Sequence, residues 1–139
     1  MILLSQNEQF CVFVIGNQKG EACVRITSTF DKNEDFVFAT DFADSTLVCL
    51  EGIYYALAYL DSIEAACVHV LCPDLDVVFQ LTGTQPPGQG ASRLIQNIAK
   101  AQAGFKTITF EWVRQDAEEK IETLPLPYKF HCDVLQSEN

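Results

Sequence analysis

Apolar and polar positions alternate along the N-terminal part of the chain in the manner of β-strands joined by tight turns. Residues 9–16 form a β-rich apolar run, and residues 21–30 change character at every second position, which is typical of a half-buried antiparallel strand. Residues 35–40 form a third run of this kind. Two glycines bracket the polar turn at 16–20, and residues 31–34 form a second polar turn. The pattern predicts a three-stranded antiparallel meander.

Helical spacing replaces this alternation further along the chain. Apolar residues recur at helical intervals from a cap at Asp44 or Ser45 to about Leu60. Residues 65–72 are apolar on both faces, as expected for a buried central strand. The remaining predicted elements are a short helix ending at Leu81, a helix capped by Ser92 and ending near Gly104, a strand over 106–113 and a short helix over 115–124.

The order of these elements predicts the class of fold. Hairpin-linked strands followed by crossover helices indicate an α/β fold with a mixed five-stranded sheet, in which three antiparallel strands precede parallel crossovers and helices flank the sheet. We expect residues 1–139 to form a single domain with a core over about 9–124. A C-terminal tail then covers residues 125–139, and the sequence does not determine how it packs.

The composition is that of a folded, acidic protein. With 139 residues, of which 48% are hydrophobic, the chain is long enough for one domain with a substantial core. It has 19 acidic and 9 basic residues and a formal net charge of −10. This charge argues against a general nucleic-acid-binding surface, because phosphate binding depends on Lys and Arg. A local site built around metal ions remains compatible with it, since carboxylates bind divalent ions.

The sequence shows no sign of membrane insertion or secretion. No apolar run approaches the about 20 residues that a transmembrane helix needs. The N-terminus has no basic region before its short apolar patch, so a signal peptide is not expected. We therefore expect an intracellular protein, cytoplasmic or nuclear, or a part of a larger polyprotein, with no membrane partner.

Six cysteines are present without any CxxC pair, so a zinc site is not indicated. In an intracellular protein a disulfide framework is not expected either. We interpret the cysteines as reduced side chains that pack as small core residues. They are Cys11, Cys23, Cys49, Cys67, Cys72 and Cys132.

Two carboxylates stand at positions that suggest chemistry. Glu51 falls within the apolar stripe of the first predicted helix, where a carboxylate is costly unless it is paired, protonated or bound to a metal. Asp74 directly follows the buried strand, at the end where open α/β sheets place ligand sites. Two structural alternatives stay open. Glu51 can lie at a wet edge of the stripe, and Asp74 can be a turn residue or a helix cap, a role for which Asp76 competes.

Three further side chains of the predicted strands are interpreted as core. His69 lies inside the buried strand and has no acidic neighbour in the sequence. Phe110 and Trp112 point the same way along the last strand, and we expect them to pack in the core rather than to form a platform for base stacking.

Three segments, in their order and spacing, resemble the ribonuclease H family. Residues 50–57 (LEGIYYAL) are similar to its first helix, where an apolar residue and a metal-binding Glu precede an Ala-rich stripe. Residues 68–78 (VHVLCPDLDVV) are similar to its fourth strand, which ends in a metal-binding Asp followed by a short helix. Residues 107–114 (TITFEWVR) are similar to its fifth strand, which ends in Trp-Val and a polar residue. The resemblance extends from residue 9 to about residue 124 and implies a ribonuclease H-like fold.

The resemblance also implies a two-metal mechanism. In that mechanism four carboxylates hold two Mg²⁺ or Mn²⁺ ions about 4 Å apart, one ion activating water and the other stabilising the leaving oxygen of a phosphodiester. Carried over to this sequence, Glu51 and Asp74 become metal ligands. Glu122, in the last predicted helix, stands in for the fourth carboxylate.

The sequence departs from the family at positions that this mechanism needs. Ile15 occupies the place of the first-strand Asp that bridges both ions, and Asn17 is at best a weak replacement ligand. Asp116 corresponds to the mobile family His and is the other weak replacement ligand, while Leu47 and Val48 correspond to the Asn pair that contacts nucleic acid. Loss of the bridging ligand should remove several kcal/mol of transition-state stabilisation, at about 1.4 kcal/mol for each tenfold in rate.

We therefore predict a ribonuclease H-like domain with an incomplete two-metal site, a pseudo-nuclease that serves as an interaction or structural module beside a protein partner or neighbouring domain. One alternative is an active Mg- or Mn-dependent ribonuclease that hydrolyses the RNA strand of RNA–DNA hybrids. A second alternative is nucleic-acid binding without cleavage. Edge strands and apolar patches also allow self-association.

Overall fold

The computed structural model describes residues 8–29 and 33–114. The predicted helix over 115–124 and the tail over 125–139 lie outside these residues. No helix in the described part of the chain is long and apolar enough to span a bilayer. The described elements are β1 (Gln9–Gly16), β2 (Glu21–Ser28), β3 (Asn33–Ala39), α1 (Ser45–Ser62), β4 (Cys67–Cys72), α2 (Leu75–Leu81), α3 (Ser92–Gln102) and β5 (Thr107–Trp112).

The five strands form one mixed sheet in the order β3-β2-β1-β4-β5. The pairs β1–β2 and β2–β3 are antiparallel, whereas β1–β4 and β4–β5 are parallel. In this register Val12 of β1 pairs with Ile26 of β2 and Val70 of β4, which aligns apolar side chains across the centre of the sheet. The predicted meander, the parallel crossovers and the α/β class are therefore confirmed.

The main hydrophobic core lies between one face of the sheet and the helices. Leu50, Ile53 and Leu57 of α1 are fully buried there, and their spacing of three and four places them on one face of the helix. Gly52 lies among them and lets α1 approach β2 closely, because an ideal Cβ at Gly52 would lie 2.6 Å from the Cβ of Ala22. This close approach fixes the position of α1 over the first strands.

The predicted cap of α1 is confirmed, whereas the predicted cap of α3 is wrong. Asp44 caps α1, since its Oδ1 accepts from the backbone N–H of Thr46 at 2.8 Å and of Leu47 at 3.4 Å. The predicted cap at Ser92 is wrong. Ser92 is already the first residue of α3, and Ala91 takes the cap position without a side-chain hydrogen bond.

Three side chains predicted to lie in the core are only partly covered, and one of them, Phe110, still packs against the main core. Trp112 is 41% exposed, because it ends the edge strand β5, and its indole N–H donates to the carbonyl oxygen of Pro73 at 2.9 Å. His69 is half-buried, with its ring nitrogens 2.9 Å from Thr109 Oγ1 and 3.2 Å from Gln9 Oε1. The core prediction is therefore wrong for Trp112, and His69 is a hydrogen-bonded residue of the sheet surface.

Candidate functional site

The carboxyl ends of β1 and β4 meet the beginning of α1 at one edge of the sheet. The two strands are parallel neighbours, so their last residues, Gly16 and Cys72, lie at the same edge. Gly16 permits a very close approach of α1, because an ideal Cβ there would lie 2.6 Å from the carbonyl oxygen of Ser45 and 2.7 Å from the backbone nitrogen of Cys49. Open α/β sheets bind ligands at this kind of position.

A small cavity of about 150 Å³ opens at this edge, and we call it the mouth cavity. Two residues singled out in the sequence, Ile15 and Asp74, line it together. Among the described residues, Asp74 supplies the only carboxylate of the lining. The lining consists of Val14, Ile15 and Gly16 of β1, Ser45 and Cys49 of α1, and Cys72, Pro73 and Asp74 at the end of β4.

Both carboxylate oxygens of Asp74 are already engaged. Oδ1 accepts from the backbone N–H of Asp76 at 3.0 Å and of Val77 at 3.4 Å, which makes Asp74, rather than Asp76, the cap of α2. Oδ2 accepts from the hydroxyl of Thr46 on α1 at 2.7 Å. Asp74 therefore holds the starts of α1 and α2 together, and the cap alternative that the sequence left open is confirmed.

Glu51 lies on a different face of α1 and does not line the mouth cavity. Its carboxylate accepts from the hydroxyl of Tyr55, one turn further along the helix. This hydrogen bond, together with partial burial and the charges of Glu51 and Asp41, raises the pKa of Tyr55. No hydrogen bond in the described part of the chain joins Glu51 to Asp74, so the structure engages the two predicted ligands with different partners.

Besides Ser45, the residue of α1 that lines the mouth cavity is Cys49. Its Sγ lies 3.0 Å from the Sγ of Cys72 and 3.8 Å from the carbonyl oxygen of Val14. The hydrogen bond with Cys72, together with complete burial and the nearby charge of Asp74, raises the pKa of the Cys49 thiol well above its usual range. Cys49 therefore keeps its proton at neutral pH.

The sequence predicts core positions for both cysteines, but it does not indicate that they meet. One signal was available: Cys49 stands four residues before Ile53 and seven before Ala56, which share a helix face and are buried. Cys72 is the last residue of the strand that precedes Asp74. Five free cysteines are described, of which three are buried and two, Cys11 and Cys67, are half-buried.

Of the other predicted site residues, the structure describes only Asn17. Asn17 is buried, and its Oδ1 accepts from the backbone N–H of Lys19 at 2.9 Å and of Glu21 at 3.0 Å. These bonds close the turn between β1 and β2. Asp116 and Glu122 lie outside the described residues.

The donor set at the mouth cavity does not fit a magnesium or manganese centre. Within residues 8–29 and 33–114, no group of three or more His, Cys, Asp or Glu side chains is arranged to hold a metal ion. Apart from the hydroxyls of Ser45 and Thr46, the side chains that share this place with the Asp74 carboxylate are two thiols and aliphatic groups, whereas Mg²⁺ prefers a shell of hard oxygen ligands rich in carboxylates.

The sheet order, the crossovers and the placement of the helices define a ribonuclease H-like fold, and comparison with solved structures agrees. The N-terminal RNase H domain of Rv2228c from Mycobacterium tuberculosis, solved as a fusion with maltose-binding protein, matches with a TM-score of 0.64 and 16% identity, covering 77% of this chain and 88% of that chain. RNase H1 from the halophilic archaeon Halobacterium salinarum NRC-1 matches with a TM-score of 0.66 and 15% identity, over 84% of this chain and 93% of that chain.

A third solved structure, LC11-RNase H1 in complex with an RNA/DNA hybrid, matches with a TM-score of 0.60 and 14% identity, over 83% of this chain and 93% of that chain. No protein-family model and no curated protein sequence gives a significant match. At these identities the similarity establishes the fold, and the chemistry has to be argued from the residues of this chain.

Proposed function

We propose that this ribonuclease H-like domain is a non-catalytic module that acts through interaction with a protein partner or a neighbouring domain. The observation that carries the proposal is the lining of the mouth cavity. Where the parallel strands end, the mouth cavity is lined by Ile15, Ser45 and the two cysteines Cys49 and Cys72, with Asp74 as its single described carboxylate.

Recruiting Asp74 to metal ions would also disturb the fold around it. Its carboxylate would have to give up the Thr46 hydroxyl and the two backbone N–H groups at the start of α2. Loss of an N-cap alone typically costs about 1 kcal/mol. Ile15 offers no donor atom with which to bridge two ions.

The charge of the chain supports a protein partner over nucleic acid. The formal charge is −10, with only 9 Lys and Arg residues in the whole sequence. Arg25 is one of these nine, and it is buried and paired with Asp35 of the edge strand β3. Binding to a phosphate backbone releases counterions in proportion to the Lys and Arg residues that contact it, and this chain has few cations to offer.

A hydrolysis assay tests the proposal directly. Labelled RNA–DNA hybrid is incubated with the full chain in Mg²⁺ and, separately, in Mn²⁺, beside an active ribonuclease H as positive control. We expect no cleavage above the protein-free blank. Asp74→Asn and its exposed neighbour variant Asp76→Asn form a matched pair. Cleavage that is lost in Asp74→Asn and kept in Asp76→Asn would refute the proposal in favour of an active hybrid ribonuclease.

A binding assay separates the remaining alternative, nucleic-acid binding without cleavage. Hybrid affinity is measured between 50 and 200 mM salt, where each neutralised phosphate on a duplex contributes a slope of about −0.9 in the logarithmic plot. We expect no measurable affinity even at the lower salt concentration. Tight binding with a steep salt dependence would contradict the proposal of a protein partner and support nucleic-acid binding without cleavage.

A further inference from the structure

Two cysteine side chains meet inside the mouth cavity without being bonded. The Sγ atoms of Cys49 on α1 and Cys72 at the end of β4 are 3.0 Å apart, and both cysteines are free thiols. A disulfide bond is about 2.05 Å long, so the two sulfur atoms are about 1 Å from bonding distance. The residues are 23 positions apart in the sequence, and a bond between them would join the helix to the strand.

The position is enclosed but reachable by a small molecule. Each of the two cysteines is only 1% exposed, yet both line the mouth cavity of about 150 Å³. Water occupies about 30 Å³ per molecule in the liquid, so the cavity admits an oxidant close to water in size. Hydrogen peroxide meets this condition, whereas bulky disulfide reagents do not.

A disulfide suits this position better than a metal–thiolate centre does. Two thiolates would be charged groups in a buried place beside the Asp74 carboxylate, and desolvation together with like-charge repulsion penalises them. A disulfide is uncharged and gives up no hydrogen bond to water. The same environment that disfavours the ionised thiols therefore accepts their neutral oxidation product, and because the thiolate is the species that attacks peroxide, it also makes the oxidation slow.

We propose that Cys49 and Cys72 form a dithiol site for oxidation by peroxide, which converts the pair into an intramolecular disulfide that ties α1 to β4. This inference does not depend on whether the domain hydrolyses nucleic acid, because it rests only on the sulfur positions and their surroundings.

The reaction balances with one peroxide for each pair. One cysteine gives up its proton, its thiolate attacks a peroxide oxygen and the O–O bond breaks, and the departing hydroxide takes up that proton and leaves as water, which gives a sulfenic acid. The second sulfur attacks the first, the S–S bond forms and the S–O bond breaks, and a second water carries away the second thiol proton. The two thiols lose two electrons, and the peroxide gains them.

A disulfide map of the oxidised full chain tests the proposal. The chain is treated with a limiting amount of hydrogen peroxide, the remaining free thiols are alkylated after unfolding in denaturant, and the product is digested with a protease that cuts after Glu and Asp. That protease is required because the segment between the two cysteines contains Glu51, Asp61 and Glu64 but no Lys or Arg. Mass spectrometry should find the Cys49 fragment joined to the Cys72 fragment.

Cys67 lies on the same fragment as Cys72, so Cys67→Ser is the matched control. We expect the cross-link to survive in Cys67→Ser and to disappear in Cys72→Ser and in Cys49→Ser. A cross-link that survives in Cys72→Ser overturns the proposal, as does recovery of Cys49 and Cys72 as alkylated thiols after other cysteines have oxidised. The map of the unmodified sequence decides the matter even where a serine variant fails to fold.

Discussion

Replacing Asp74 by alanine should destabilise the domain by about 2 kcal/mol, whereas replacement by asparagine should be nearly neutral. Alanine removes the N-cap of α2, which is typically worth about 1 kcal/mol. It also removes the acceptor for the Thr46 hydroxyl, a partly buried hydrogen bond worth about 1 kcal/mol. Asparagine caps helices as well as aspartate does through its amide oxygen, and its amide N–H can donate to the Thr46 hydroxyl, which then accepts, so the loss should stay below about 0.5 kcal/mol.

Urea unfolding followed by circular dichroism measures these changes, provided that the slope with denaturant stays constant across the variants. Asp76→Ala is the control, since Asp76 is exposed in the first turn of α2 and should contribute only about 0.5 kcal/mol through the helix dipole. A carboxylate held among other carboxylates at a metal centre would behave in the opposite way, because its neutralisation relieves repulsion. An Asp74→Asn variant that is clearly more stable than the parent chain would therefore refute the structural role argued for Asp74.

Two further predictions concern packing and ionisation elsewhere in the fold. Gly52→Ala should destabilise by about 1 kcal/mol, because overpacking against Ala22 costs roughly 1–3 kcal/mol and better helix propensity returns about 1 kcal/mol. Denaturant unfolding should show part of this loss recovered by a second change, Ala22→Gly, and a more stable Gly52→Ala would contradict the close contact. The hydrogen bond to Glu34 raises the pKa of Tyr59 to about 12, so its stabilising effect is present below about pH 10 and is lost as the pH rises through that pKa. Tyr59→Phe should remove the last tyrosinate step from an ultraviolet pH titration, and persistence of that step would contradict the assignment.

The sequence predicted the first strands well because β-rich apolar runs and alternation with a period of two, bounded by polar turns, are typical of a sheet. The apolar run over residues 9–16 is the clearest example, since the predicted and observed bounds of β1 coincide. The errors arose where an outcome depends on neighbours that are distant in sequence. The exposure of Trp112 follows from β5 being an edge strand, and Ser92 does not cap α3 because Ala91 already takes the cap position. Neither fact is encoded in the local pattern.

The candidate site was harder to predict because it depends on which face of α1 meets the sheet. A helix turns by about 100° per residue, so even close positions point in different directions. Glu51 and Cys49 are two residues apart, so they point in directions that differ by about 200°. The apolar run of α1 is nearly continuous from Leu47 to Leu60, and such a run does not show which face meets the sheet. The close contact of Gly52 with Ala22 settles that face and turns Cys49 toward the ends of β1 and β4. On α1, Thr46 therefore reaches Asp74 with a hydroxyl and Cys49 shares its cavity with a thiol, while the carboxylate of Glu51 bonds to a tyrosine on the helix surface.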